Sequence, residues 1–226
     1  MGEAGVGMQM INTENVKHGI EYANELLYRI KWGKDYLNAC EIYRSCCPEE
    51  TAKKIHLAKD FFSVAFEALN YAMMMEVIKL CEEDRQVKSV PRFFNFFQSN
   101  SEIKKFVGLV KKDTEYKMLL RVFEEYWNAY ETKQIVSDIK TRRDNYYAHS
   151  DKKYFGNIDD LVNNTSVCYD DINVFLNKSH EFVSGVYLLL TGVEWQPKLH
   201  QNALVREKDC SDLFKLLDKV VLDEEG

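Results

Sequence analysis

Proline is scarce in this 226-residue chain: only Pro48, Pro91 and Pro197 occur. With so few rigid breaks, long uninterrupted helices are permitted. Strand signals are also lacking, since no alternating β-branched run is bounded by turn dipeptides. No repeat of fixed period is present. There is no Gly-rich phosphate loop and no G-x-S-x-G nucleophile elbow, which removes two common enzyme designs. The six cysteines, Cys40, Cys46, Cys47, Cys81, Cys168 and Cys210, form no C-x-x-C pair and no zinc-like spacing with histidine. Most lie among apolar residues, where a free thiol behaves as a small hydrophobe, and a reduced, cytosolic compartment is expected. The start of the chain lacks the basic flank and apolar run of a signal peptide, and Val6 stands where a myristoylation signal wants Ser or Thr. The nearest approach to a membrane span, residues 183–190, is far too short, so no membrane segment is expected. Positive charge is not in excess: 30 Lys and Arg stand against 36 Asp and Glu, a net −6. That balance disfavours non-specific nucleic-acid binding, so any RNA contact must come from a local basic patch.

What is present is an ordinary folded composition, 46% hydrophobic and 29% charged, over a length that suits one helical domain with appendages. Residues 1–12 read as a loose arm, 13–192 as the helical domain, and 193–226 as an extension with a short helix near 211–222. A first helix is predicted over 13–45, with Ile20, Ala23, Leu26, Leu27, Ile30 and Leu37 at helical spacing. A second, over 50–83, is apolar almost all round and is therefore expected to be buried in a bundle or an oligomer. Residues 90–97 carry Phe93, Phe94, Phe96 and Phe97 and read as a lid on the core, the alternative being a partner-binding patch. Ser99, Asn100 and Ser101 form a turn and a helix N-cap, followed by a helix to about residue 111. One helix is predicted over 114–147, with Thr114 as cap and a stripe of Leu119, Val122, Phe123, Tyr126, Trp127 and Tyr130 that continues, after a small shift, through Val136, Ile139 and Tyr146. A last long helix over 158–191 ends at Gly192. The expected architecture is all-α, a bundle of about four to six helices with long antiparallel members.

The stripe of the 114–147 helix breaks its own rule at one end. With Ile139 at its centre and about 100° per residue, Arg143 falls about 40° away, inside the apolar face, and Arg142 about 60° away, at its edge. A cation on an apolar stripe is a local inconsistency of the kind found at functional sites. His149 follows six residues later in Arg143-Asp-Asn-Tyr-Tyr-Ala-His149. In an ideal helix it would sit about 120° from Arg143, so the pair must meet through a loosened helix end or across a two-fold axis. Arg and His near a helix C-terminus also complement its dipole, and the bare spacing is a weak signal. His149 and Asp151 offer two metal ligands without a second cluster, so neither metal nor cofactor is expected.

The full run Arg143-Asp-Asn-Tyr-Tyr-Ala-His-Ser-Asp-Lys-Lys153 resembles the signature of the HEPN superfamily, most closely the AbiU-type proteins of bacterial abortive infection. Trp127, Tyr130 and the His56-Leu-Ala-Lys-Asp-Phe-Phe62 region share in the resemblance, which spans most of residues 13–192. It implies an all-α bundle that forms a homodimer, with paired Arg and His motifs lining a cleft. It also implies a metal-independent endoribonuclease acting in phage defence or as a toxin with a cognate antitoxin. The alternative it leaves is an inactive module that binds RNA, nucleotide or protein, as an antitoxin or scaffold does. The residues suit the first chemistry. RNA supplies its own 2′-hydroxyl nucleophile, a neutral His149 can act as general base, and Arg143 can hold the scissile phosphate. Asp144 can orient either of them or be a plain surface carboxylate. Tyr146 and Tyr147 can stack on bases, or pack. Between residues 131 and 156, six basic residues, among them Arg142, Lys152 and Lys153, face four acidic ones. That local excess of two suits a short single-stranded RNA rather than a duplex track.

Overall fold

The computed structural model describes residues 13–45, 59–84, 86–144 and 167–197. Within them lie seven helices and no strand: α1 (Thr13–Ser45), α2 (Lys59–Cys81), α3 (Val90–Ser99), α4 (Ser101–Leu109), α5 (Asp113–Asn128), α6 (Tyr130–Arg142) and α7 (Tyr169–Thr191). The all-helical class is as the sequence implies. The expected arm, residues 46–58 and the helix near 211–222 lie outside the described residues.

Helix α1 is the centre of the bundle, packed against both α2 and α7. Its buried positions Val16, Ala23, Leu26, Leu27, Ile30, Leu37 and Cys40 recur every three or four residues, so one broad stripe serves both neighbours. Two glycines set how closely α7 approaches. A Cβ on Gly33 would lie 3.0 Å from Leu176 Cδ2, and one on Gly19 would lie 3.3 Å from Leu190 Cδ1. The two contacts run in opposite chain directions, so α1 and α7 are antiparallel. Helix α2 is also antiparallel to α1: Arg29 meets Glu76 at 3.6 Å, and further along Glu25 bonds Lys88. After Gly192, which takes φ 74° to end α7, Trp195 folds back to donate from Nε1 to Asn24 Oδ1 at 2.9 Å.

The phenylalanines of α3 are core. Phe93 and Phe97 are fully buried around Phe182 of α7, and Phe123 of α5 stacks on the same ring at 4.3 Å. The lid reading therefore holds over the partner patch. Tyr22 ties this layer to α1, donating to Ser89 O and accepting from Ser89 N–H. Asn100 caps α4 as expected, its side chain accepting from the N–H groups of Glu102 and Ile103.

Four expectations need correction. The single helix over 114–147 is two helices, because Ala129 adopts an extended conformation at φ −61°, ψ 143°. The break lets α5 pack on α7 while α6 turns onto α2. It also leaves Val122 and Tyr130 exposed, whereas Phe123 and Trp127 stay buried. Helix α5 begins at Asp113 after Lys112, not at a Thr114 cap. Helix α7 begins at Tyr169, since extended Cys168 is its cap, with Cys168 N–H bonded to Asp171 Oδ2. Finally, α2 is long and apolar enough to cross a membrane by length and composition alone, with mean hydropathy 1.3 over its best window. Its second half instead fills the bundle through Met73, Met74, Val77, Ile78, Leu80 and Cys81, while Phe61 and Val64 in the first half and Tyr71 just past the middle are exposed.

Truncating the shared ring should be felt throughout the aromatic layer. Phe182→Ala is expected to cost about 3–5 kcal/mol, read as a lower urea midpoint with unchanged slope. A second expectation concerns pH. Burial holds the His180 imidazole below its ordinary pKa, and Lys34 opposite adds to this, with Glu181 opposing. The folded state thus binds its proton less readily than the unfolded chain. Stability contributed by neutral His180 is present above the unfolded value, about 6.5, and declines as pH falls through it. Between pH 7.5 and 5, wild type should lose more stability than His180→Gln, measured by urea titration at each pH.

Candidate functional site

The site is assembled where the C-terminal ends of α2 and α6 meet. Val136 and Ile139 of α6 face the core, as the stripe requires. At Arg143 and Asp144 the helix widens to π-type spacing, and the Arg143 N–H is shared between the carbonyls of Ile139 and Lys140. The Arg143 side chain is 28% exposed and points to the end of α2. Its Nη1 donates to Glu82 Oε2, and its Nε donates to Asp144 Oδ1 at 2.7 Å. The Asp144 hydrogen bond and the charges of Glu82 and Asp144 hold the guanidinium protonated against the opposing effect of burial. One turn earlier, Lys140 lies 3.6 Å from Glu83. Beneath these pairs Cys81 is fully buried, and desolvation pushes its thiol up to about 12, so it is no nucleophile at neutral pH.

Of the residues read from sequence, Arg143 and Asp144 are brought together, and Arg142 lies half-buried beside them. Tyr147, His149, Lys152 and Lys153 lie outside the described residues. Glu82 and Glu83 belong to the site and were not expected there. A signal for them exists. Glu82, Glu83 and Asp84 follow the C-terminus of α2, where the helix dipole disfavours anions, so such a run asks for cations from elsewhere. Their presence revises the local charge. Among the described residues here, Glu82, Glu83 and Asp144 stand against Arg143, Lys140 and the adjacent Arg142, so the positive excess of the linear count is offset. Upstream, Lys133 is placed over the Trp127 ring at 5.0 Å from its centroid, leaving Tyr130 as the exposed aromatic of α6. Among the described residues, no three His, Cys, Asp or Glu side chains converge as a metal site requires.

An all-α bundle of this kind is the class of fold to which the HEPN proteins belong. Comparison with protein families narrows it: the family model described as AbiU2, within HEPN, matches residues 21–212. The chain belongs to the AbiU2 family of HEPN-fold proteins, a family related to abortive infection. No curated protein and no solved structure matches it.

Removing the guanidinium would strand the largely covered Glu82 carboxylate. Arg143→Ala is therefore expected to lower stability by about 1–3 kcal/mol. Lys140→Ala, which loses an exposed pair, should stay within about 1 kcal/mol of wild type. Chemical denaturation of the two variants side by side checks the contrast.

Proposed function

We propose that this protein is a homodimeric, metal-independent endoribonuclease of phage-defence or toxin type, with Arg143 as phosphate clamp and His149 as general base. The observation that carries this reading is the state of Arg143 within a family related to abortive infection. The side chain is charged, partly desolvated and held by two carboxylates, yet only Nε and Nη1 are engaged by described residues. Its Nη2 edge remains for a phosphate oxygen. In the proposed reaction His149 accepts the 2′-hydroxyl proton, and the 2′-oxygen attacks the adjacent phosphorus. The P–O bond to the 5′-oxygen of the next nucleotide breaks, that oxygen takes a proton from solvent, and a 2′,3′-cyclic phosphate remains. Arg143 stabilises charge gathering on the non-bridging oxygens. Arg142, Tyr147, Lys152 and Lys153 would contact the single strand on either side. Pairing of two subunits brings two such motifs to one cleft and answers the spacing that separates Arg143 from His149 on a regular helix.

The second reading, an inactive module that binds RNA, nucleotide or a protein partner as an antitoxin or scaffold, draws on one observation. The carboxylates of Glu82, Glu83 and Asp144 already pair with Arg143 and Lys140, which weakens the pull of the site on a polyanion.

Purified protein should cleave single-stranded RNA in EDTA and leave cyclic phosphate ends, at a mass in solution twice the 26.5 kDa chain. His149→Ala should lower the rate by about 10²–10⁴-fold while keeping its helical circular dichroism. Equal cleavage by that variant removes His149 from the mechanism. A folded dimer that cleaves no RNA and is harmless on expression decides for the inactive module.

A further inference from the structure

We propose that Glu82 is the positioning residue for Arg143, fixing the guanidinium so that its Nη2 edge faces the substrate phosphate. The proposal rests on the reading of Arg143 as phosphate clamp.

Arginine reaches its target through a long, freely rotating stem, and a clamp must be aligned before charge develops on the phosphate. Asp144 cannot supply that alignment alone. It is the next residue in the chain, its side chain is 55% exposed, and it moves with the same turn. Glu82 comes from just past the end of a separate helix, 61 residues away, and its side chain is only 18% exposed. Its carboxylate is itself held from behind. Oε1 accepts from the backbone N–H of Glu83 at 3.0 Å and of Asp84 at 3.4 Å, leaving Oε2 turned to Arg143 Nη1.

The backbone that holds Glu82 is braced in turn. Asp84 Oδ1 accepts from Gln86 N–H at 2.9 Å, closing a local turn. Arg92 of α3 donates from Nη1 to Val87 O at 2.9 Å and to Asp84 O at 3.3 Å. Arg92 sits between Pro91 and Phe93, both buried in the core. A continuous path of hydrogen bonds thus runs from Arg92 of the docked helix α3 to Asp84, from Asp84 to Glu82 and on to Arg143. The parallel pair of Lys140 and Glu83 keeps the two helix ends in register. With Nε and Nη1 both taken, a phosphate approaching Arg143 finds the guanidinium already oriented, and less freedom is lost on binding.

The test compares full-length wild type with Glu82→Gln, Glu82→Asp and Glu125→Gln, using a short single-stranded oligoribonucleotide. A positioning role predicts that Glu82→Gln lowers kcat by about 10-fold or more with KM within about twofold, and that Glu82→Asp recovers part of the loss. Glu125→Gln, which loses only an exposed pair with Arg121 on α5, should stay within about twofold of wild type. A second readout needs no turnover. In ¹⁵N-arginine-labelled protein, the Nη protons of Arg143, identified by their loss in Arg143→Lys, should show hindered rotation in wild type and averaged signals in Glu82→Gln. Unchanged kcat in Glu82→Gln overturns the proposal. So does a lower KM at constant kcat, which would make Glu82 a competitor of the phosphate. If wild type cleaves no RNA, the nuclease reading fails by itself, and the Nη signals decide: averaging in Glu82→Gln sustains the positioning role, and no change overturns it.

Discussion

Two leucines of α7 rest against bare backbone of α1, and the remaining packing follows from that approach. Leu176 and Leu190 lie where Gly33 and Gly19 carry no side chain, so the two longest-range neighbours in the chain share one close interface. Because α7 covers one flank of α1 so tightly, the other flank of its stripe is left to α2. The short helix α3 then closes the end of the three long helices with fully buried Phe93 and Phe97. Phe182 of α7 sits among these rings and carries the packing on to Phe123 of α5. Each layer covers apolar surface that the previous one exposes, which is the general reason a bundle settles on one arrangement.

The same packing delivers the charged groups. Since α2 is held along its second half by α1, its C-terminal end has a defined place, and Glu82 and Glu83 emerge there. The bend at Ala129 aims α6 at that end. Had α5 continued straight, Lys140 and Arg143 would travel with α7 and the acids of α2 would have no partners. The guanidinium is therefore located by the core and only refined by its neighbour Asp144. This explains how a side chain with many rotamers can occupy one orientation at a partly exposed position.

Much of this was legible in the sequence. The spacing of Leu26, Leu27 and Ile30 defined α1, Gly192 marked the end of α7, and the cation at Arg143 stood out against the stripe of Val136 and Ile139. The break at Ala129 was not legible, because alanine is the best helix former and neither glycine nor proline marks the turn. Only the phase shift of the stripe after Tyr130 betrayed it. The exposed face of α2 escaped for a related reason. Periodicity reports which residues are apolar, and Phe61 and Val64 are as apolar as the buried Val77. Glu82 was hidden by distance along the chain, since nothing local ties it to Arg143. Its only trace was an acidic run at a helix end that the dipole disfavours.

The carboxylates around Arg143 bear on what kind of RNA contact the proposed site would make. A polybasic groove draws in nucleic acid at long range and holds it through many phosphates. Here Glu82, Glu83 and Asp144 offset Arg143, Lys140 and Arg142, so the described residues offer no such field. Under the proposed nuclease reading, recognition would rest instead on contacts made after approach: one phosphate on an already oriented guanidinium, and bases against exposed aromatic faces. Those contacts suit an unpaired strand, whose bases are open to stacking and whose backbone can bend to reach a single recessed cation. A duplex presents evenly spaced phosphates and covered bases, and gains little from a site built this way. On that reading, the carboxylates that look unfavourable for a polyanion would make Arg143 a selective partner for one phosphate rather than a general anchor for many.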